Sequence, residues 1–285
     1  MNSVILKFQC PDQKGLVAAI TQFVYRNGGN VVNLDQYTDE DRKMFFMRLE
    51  WDLKGFRSKP EDLKKVFAAF LKKQKIIAAW ELFFSSRRER MAVMVSRFDH
   101  CLFDLLYRHQ AGELGCDISV ILSNHDELRD LAEYFKVPFL CVPVENGKTM
   151  RDSERRQLAV LRESRSDFVV LARYMRILPP AFLRAYPWKI INIHHSFLPA
   201  FKGAKPYHQA WERGVKIIGA TSHFVTEELD QGPIIHQDVV RVSHKDRVDD
   251  LVIRGRDIER QVLAEAVKLY LGKRIFVHGN KTYIL

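Results

Sequence analysis

The sequence predicts an α/β protein: a doubly wound, mostly parallel sheet preceded by a small βαββαβ unit of the ferredoxin-like kind. Three observations carry that expectation. Residues 1–84 run strand, helix, two strands, helix, strand; the remainder alternates short apolar runs with helical stretches; and a tight basic cluster, SSRRER at 85–90, separates the two rhythms. Alternation of strand and helix is the pattern of a parallel sheet with crossover helices, whereas βαββαβ is the order of a compact antiparallel unit. The expected division is 1–84 for the small unit, 85–90 for a solvated linker and 91–285 for the larger domain.

The elements follow in order. Residues 4–8, VILKF, read as the first strand. Leu16, Val17, Ile20, Phe23 and Val24 then recur at helical spacing until Gly28-Gly29 stops the helix. Two strands come next, at 31–38 and 43–51. Pro60, whose fixed φ and missing N–H suit a first helical turn, opens a helix with Leu63, Val66, Phe67, Phe70 and Leu71 on one face. A strand at 78–84 closes the unit. In the larger domain, strands are expected near 91–96, 117–122, 139–142, 168–172 and 190–194, separated by helical stretches, then at 219–225 and 233–242, with a long final helix at 248–271.

A hydrophobic content of 47% over 285 residues supports a sizeable buried core. No run approaches the roughly 18 apolar residues of a membrane span. The start, MNSVILKFQCPDQKG, lacks the basic, apolar and small-residue regions of a secretory leader. Cys10, Cys101, Cys116 and Cys141 are widely spaced with no CxxC, which points to free thiols in a reducing cytoplasm. The balance of 45 Lys+Arg against 35 Asp+Glu gives +10, compatible with an anionic ligand. With the excess spread thinly and no zinc-finger or aromatic RNA-binding motif present, neither nucleic acid nor membrane is an expected partner.

Chemistry concentrates in INIHHSFLP at 191–199, where an amide, two imidazoles and a hydroxyl fall within five residues. Alternate side chains of a strand share a face, so Asn192 and His194 point one way and Ile191, Ile193 and His195 the other. At the carboxyl end of a strand in an open α/β sheet, where ligand crevices form, two such donors would stabilise an oxyanion. The later segment TSHF at 221–224 adds His223, and Glu227, Glu228 and Asp230 lead into the turn residues Gly232-Pro233. A carboxylate there would orient a water and take its proton, the more readily if burial raised its pKa toward neutrality. The pattern does not rank the three acids.

The histidines His194, His195, His223 and His236 show no HExxH spacing, and neighbours diverging on a strand make a poor ligand set, so no metal is expected. Ser196 lacks the GxSxG turn of an exposed nucleophile. The segment RYMRIL at 173–178 follows the strand DFVVLA and suits the wall of a pocket for a flat heterocycle. The first strand of the larger domain ends MAVMVSRFDH with no glycine from 91 to 111, which disfavours a phosphate at that turn.

Three stretches, LARYMRIL (171–178), NIHHSFLPAFKGAKPYHQA (192–210) and GATSHFVTEELDQGPIIHQ (219–237), resemble the formyltetrahydrofolate-dependent formyltransferases over residues 88–285, most closely their deformylase branch. The resemblance implies a formyltransferase-like domain that hydrolyses 10-formyltetrahydrofolate, a substrate rather than a cofactor, to tetrahydrofolate and formate, with no cofactor needed. Carried over residue by residue, it assigns catalysis to Asn192, His194 and Asp230. It sets the folate against Met175, Arg176, Ile177 and Leu178 with His223 nearby, and gives His195 and Ser196 supporting places. The transformylase pattern has proline where this chain has His195, and a glycine-rich phosphate loop where it has Ser96-Arg97-Phe98-Asp99-His100. Both departures resemble the branch in which water replaces an amine acceptor; formyl transfer to an amine, and a non-catalytic folate or amino-acid sensor, are the competing expectations.

DQKGL at 12–16, followed by GGN at 28–30, is similar to the segments by which ACT domains pair and bind amino acids. That likeness implies a regulator site at Asp12, Gly15 and Asn30, an amino-acid regulator, and a homo-oligomer.

Overall fold

A computed structural model describes residues 2–143, 148–200 and 206–285. Positions 201–205 of the segment 192–210 lie outside the described residues. The chain divides into two units, Met1–Arg88 with Lys273–Phe276 and Tyr283–Leu285, and Glu89–Gly272 with Val277–Thr282.

In the first unit, β1 (Ser3–Pro11) buries Val4, Leu6, Phe8 and Cys10 at alternate positions, as a half-covered strand must. Helix α1 (Leu16–Arg26) turns Leu16, Ile20, Phe23 and Val24 inward, and its entry is made by Gly15 at φ 88°, a left-handed conformation that favours glycine. Strands β2 (Asn30–Asp39) and β3 (Met44–Asp52), helix α2 (Pro60–Lys73) and β4 (Ala79–Phe84) complete the predicted βαββαβ order. The four strands form one antiparallel sheet in the order β2-β3-β1-β4. Leu6, Phe8, Ile20, Leu49, Trp51, Leu63 and Phe67, all fully buried, form its core. Each contributes about 1.5–3 kcal/mol by leaving water.

The second unit runs β5 (Glu89–Val95), α3 (His100–Gln110), β6 (Cys116–Ser123), α4 (Arg129–Tyr134), β7 (Phe139–Cys141), α5 (Lys148–Glu163) and β8 (Phe168–Leu171). It continues with α6 (Pro180–Ala185), β9 (Ile190–His194), α7 (Pro206–Glu212), β10 (Ile217–Phe224), β11 (Ile234–Arg241) and α8 (Val248–Leu271). Its seven strands lie in the order β11-β10-β9-β8-β5-β6-β7; β9 through β7 pair in parallel, while β10 runs antiparallel to both β9 and β11. Met91 to Val95 and Phe168 to Leu171 are buried without alternation, because helices cover both faces of a parallel sheet.

Two features depart from the sequence reading. Strand β5 starts at Glu89, so the last two residues of the basic cluster pair with Cys116 and Asp117. A terminal hairpin of β12 (Ile275–His278) and β13 (Lys281–Ile284) was not anticipated. Its strands are short, and only the turn at Gly279, φ 60°, marks it in the sequence. Among the described residues, no helix is long and apolar enough to cross a membrane.

For function, the important outcome is that β5, β8 and β9 are neighbours running in one direction. Their carboxyl ends, at residues 95–96, 171–173 and 194–195, therefore open on the same edge.

Candidate active site

Pairing of β9 with β10 sets His223 opposite Asn192 and Thr221 opposite His194. Opposed residues on adjacent strands share a face, so the Asn192 amide and the His223 ring meet, Nδ2 to Nε2 at 3.2 Å. The other ring nitrogen of His223 donates to the Phe224 carbonyl at 2.8 Å. Because a carbonyl only accepts, Nδ1 carries the proton of the neutral ring, and Nε2 is left to accept from Asn192. One of the two amide N–H groups is thereby fixed and the other left over. His223, expected beside the substrate, is 2% exposed with both nitrogens engaged, one of them by Asn192.

The chain beyond β10 folds back at Gly232, where a Cβ would collide with the Phe224 carbonyl oxygen, so only glycine allows the approach. This turn delivers Asp230 in a left-handed conformation, φ 55°, which Asp and Asn tolerate better than other side chains but which still costs strain. Its Oδ2 lies 3.3 Å from His194 Nδ1 and its Oδ1 lies 3.7 Å from His223 Nε2. Glu227 and Glu228 are exposed, so geometry ranks the three acids that sequence did not. His194 is buried, and among the described residues its Nε2 has no hydrogen-bond partner. A buried polar atom left unpaired costs about 1–3 kcal/mol, which marks Nε2 as the atom a ligand would satisfy.

The geometry decides the direction of the Asp230 shift, which the sequence leaves open. The His194 imidazole holds the Asp230 carboxyl well below the usual carboxylate range, outweighing the partial burial that would raise it. Asp230 is thus a permanent anion near neutral pH and a weak base, suited to orienting rather than deprotonating.

A second correction concerns His195. Strand β9 ends at His194, so the alternation that would send the two rings apart stops one residue early. The rings stack instead, with centroids 5.4 Å apart and planes at 28°. Burial, reinforced by the Arg173 guanidinium, pushes the His195 imidazole down to about 3. The unfolded chain, titrating near 6.5, then binds a proton that the folded protein refuses, so this group contributes stability above pH 6.5 that is lost as pH falls toward 3. Melting temperature is expected to drop between pH 6.5 and 4.5 in the native protein and to drop less in His195→Gln. Parallel curves for the two proteins would contradict the half-buried neutral ring.

The remaining assigned positions divide. Ser196 donates to the Ala200 carbonyl at 2.8 Å, and Thr221 donates to the Ser196 carbonyl while accepting from the Leu198 N–H, so Ser196 shapes the turn after β9. Met175 and Ile177 are exposed apolar side chains, 55% and 69% accessible, and Arg176 is exposed beside them. Leu178, expected on the same wall, packs into the core with Leu171, Tyr174 and Phe182, because the irregular segment does not keep four consecutive side chains on one side. The Met175 N–H donates to Ser96 Oγ at 2.9 Å, tying this segment to the end of β5. In the first unit, Asp12, Gly15 and Asn30 are exposed, with open space around Gly15.

Sequence reasoning missed a buried group beside these residues. Glu259 of α8 is 1% exposed and accepts from Tyr207 Oη at 2.7 Å, meets His100 Nε2 at 2.8 Å, and lies 3.4 Å from Arg173 Nε. The Tyr207 ring is 6.0 Å from that of His195. The available signal was Gly255, a helix-interior glycine one turn before Glu259, where any Cβ would collide with the Tyr207 ring.

Comparison with known proteins identifies the domains that carry this site. A family profile described as Formyl transferase matches residues 89–267, and one described as ACT domain matches residues 4–70. The site therefore sits in a formyl transferase domain carried behind an ACT domain. Formyltetrahydrofolate deformylases of Synechocystis sp. and Bacillus subtilis are 49% and 47% identical to the chain, covering 98% of it and 97% and 92% of their own lengths. The crystal structure of a formyltetrahydrofolate deformylase from Pseudomonas syringae pv. tomato superposes with a TM-score of 0.96 at 42% identity, covering 100% of this chain and 95% of that one. A glycinamide ribonucleotide transformylase from Symbiobacterium toebii aligns over 72% of the chain and 98% of its own, with a TM-score of 0.66 at 32% identity. The chain belongs to the formyltetrahydrofolate deformylase family.

Proposed function

We propose that this protein hydrolyses 10-formyltetrahydrofolate to tetrahydrofolate and formate, with its own side chains supplying the chemistry and no cofactor or metal taking part. The carrying observation is the convergence of Asn192 and His194 from strand β9 with Asp230 from a loop, the three linked through His223 of β10, and with His194 Nε2 buried and unpaired among the described residues. The free Asn192 N–H faces the charge that develops on the formyl oxygen when water attacks, and the His194 ring becomes a second donor once Nε2 has taken the proton. Asp230 stays ionised, accepts from His194 Nδ1–H, and thereby leaves Nε2 as the nitrogen that exchanges protons with substrate and water. Nε2 takes a proton as the water adds to the formyl carbon and returns it to the folate nitrogen as the carbon–nitrogen bond breaks. Exposed Met175 and Ile177 supply apolar surface for the flat heterocycle.

The same reading gives the ACT domain a small-molecule regulator, an amino acid, at the open turn of Asp12, Gly15 and Asn30, and a role in pairing copies of the chain. The free thiols of Cys10, Cys101, Cys116 and Cys141 support a reducing, cytoplasmic setting.

The deciding experiment supplies purified protein with 10-formyltetrahydrofolate alone. Formate and tetrahydrofolate are expected in equal amounts, at a rate unchanged by a chelator. Formate-free turnover that requires an added amine would replace hydrolysis with transfer, and zinc-restorable loss on chelation would bring in a metal.

A further inference from the structure

We infer that Glu259 is a positioning residue for the acyl site, which rests on the hydrolytic reading above. Its three partners come from three places: His100 opens α3 just beyond β5, Arg173 follows β8, and Tyr207 lies in α7, beyond β9. A carboxylate this deeply buried is tolerable only when both oxygens are satisfied and its charge is matched. Both conditions hold, with Oε1 taken by Tyr207 and Oε2 shared by His100 and the Arg173 guanidinium.

Each partner in turn fixes part of the catalytic edge. Tyr207 backs His195, and His195 stacks on His194, so the ring that bears the unpaired Nε2 has a wall two aromatic layers deep. Arg173, at φ 65°, begins the segment that carries Met175 and Ile177, and its guanidinium also covers the Phe98 ring at 4.9 Å. One carboxylate therefore holds both the proton-transferring imidazole and the root of the folate wall in register. Glu259 touches no reacting atom. A cation at this cluster fits less well: His100, Cys101 and Glu259 offer donor atoms within 4.8 Å of one another, but the guanidinium already stands against the carboxylate. Gly255 belongs to the same device, since it leaves the room in which Tyr207 reaches Glu259.

The test compares the native protein with Glu259→Gln, Glu259→Gln/Arg173→Met and Tyr207→Phe, measuring formate release and thermal melting. Displacement of a reacting group by about an ångström typically costs on the order of 10²-fold. Glu259→Gln is expected to lower kcat by about 10- to 100-fold with KM within about threefold, and to melt lower because Arg173 is left a buried, unmatched cation. Removing that cation in the double variant is expected to recover melting but not kcat. Recovery of both would make the loss a matter of folding and overturn the proposal, as would native kcat in Glu259→Gln or an effect confined to KM. Should Glu259→Gln fail to fold, Tyr207→Phe decides, since it keeps the ring against His195 and removes only its hydrogen bond: a kcat loss of about tenfold at constant KM supports positioning, and native kcat refutes it. Absence of formate from the native protein would instead bring down the hydrolytic reading itself.

Discussion

Asp230→Asn is expected to lower formate release by about 10³-fold or more while folate affinity stays within a few-fold. The substitution is chosen for its backbone. Asp230 sits at φ 55°, a region asparagine enters as readily as aspartate, so the loop through Gly232 can keep its course. What changes is the partner of His194 Nδ1, 3.3 Å away. An anion that only accepts is replaced by an amide that can also donate, which no longer dictates the Nδ1–H tautomer or stabilises the imidazolium. Replacing the carboxylate that orients a catalytic imidazole elsewhere costs about 10⁴ in turnover through the wrong tautomer alone. Because the Asp230 carboxyl is held low by the His194 imidazole, native activity should not fall through an Asp230 titration near neutral pH. Near-native formate release by Asp230→Asn, measured with ligand binding in parallel, would remove Asp230 from the chemistry.

How much of this was legible beforehand depended on whether the signal was periodic or spatial. Strands such as 168–172 and 190–194 announce themselves by apolar runs, and both helices of the ACT domain by recurrence of residues such as Ile20 and Phe23, or Leu63 and Phe67. Asn192, His194 and Asp230 were legible because their segments resemble a known family. Relations across the sheet were not. That His223 serves Asn192 follows from the β9–β10 register, which no spacing along one strand encodes. That His195 stacks on His194 depends on β9 ending one residue earlier than alternation assumes. The direction of the Asp230 shift was not legible, because burial and a neighbouring imidazole act in opposite senses and only distances decide between them. Glu259 was invisible for a similar reason: in the sequence it is one more acid on an amphipathic helix, and its burial exists only once His100, Arg173 and Tyr207 converge from elsewhere.

His194→Gln is the second variant expected to lose about 10³-fold in kcat, and its combination with Asp230→Asn tests whether the two residues form one device. Glutamine can still donate to the formyl oxygen, so the oxyanion need not lose a donor; what it cannot do is take a proton from water and hand it to the leaving nitrogen. If the geometry at 3.3 Å means that Asp230 works through His194, removing the imidazole leaves the carboxylate with nothing to orient. The double variant should then be little slower than His194→Gln alone, within about tenfold, because groups that act as a unit lose their function once. The measurement is kcat for the four proteins of the cycle under saturating 10-formyltetrahydrofolate. Losses that multiply, so that the double variant falls about 10⁶-fold, would mean that Asp230 acts on water independently of the imidazole, and the proton path through Nε2 would have to be abandoned.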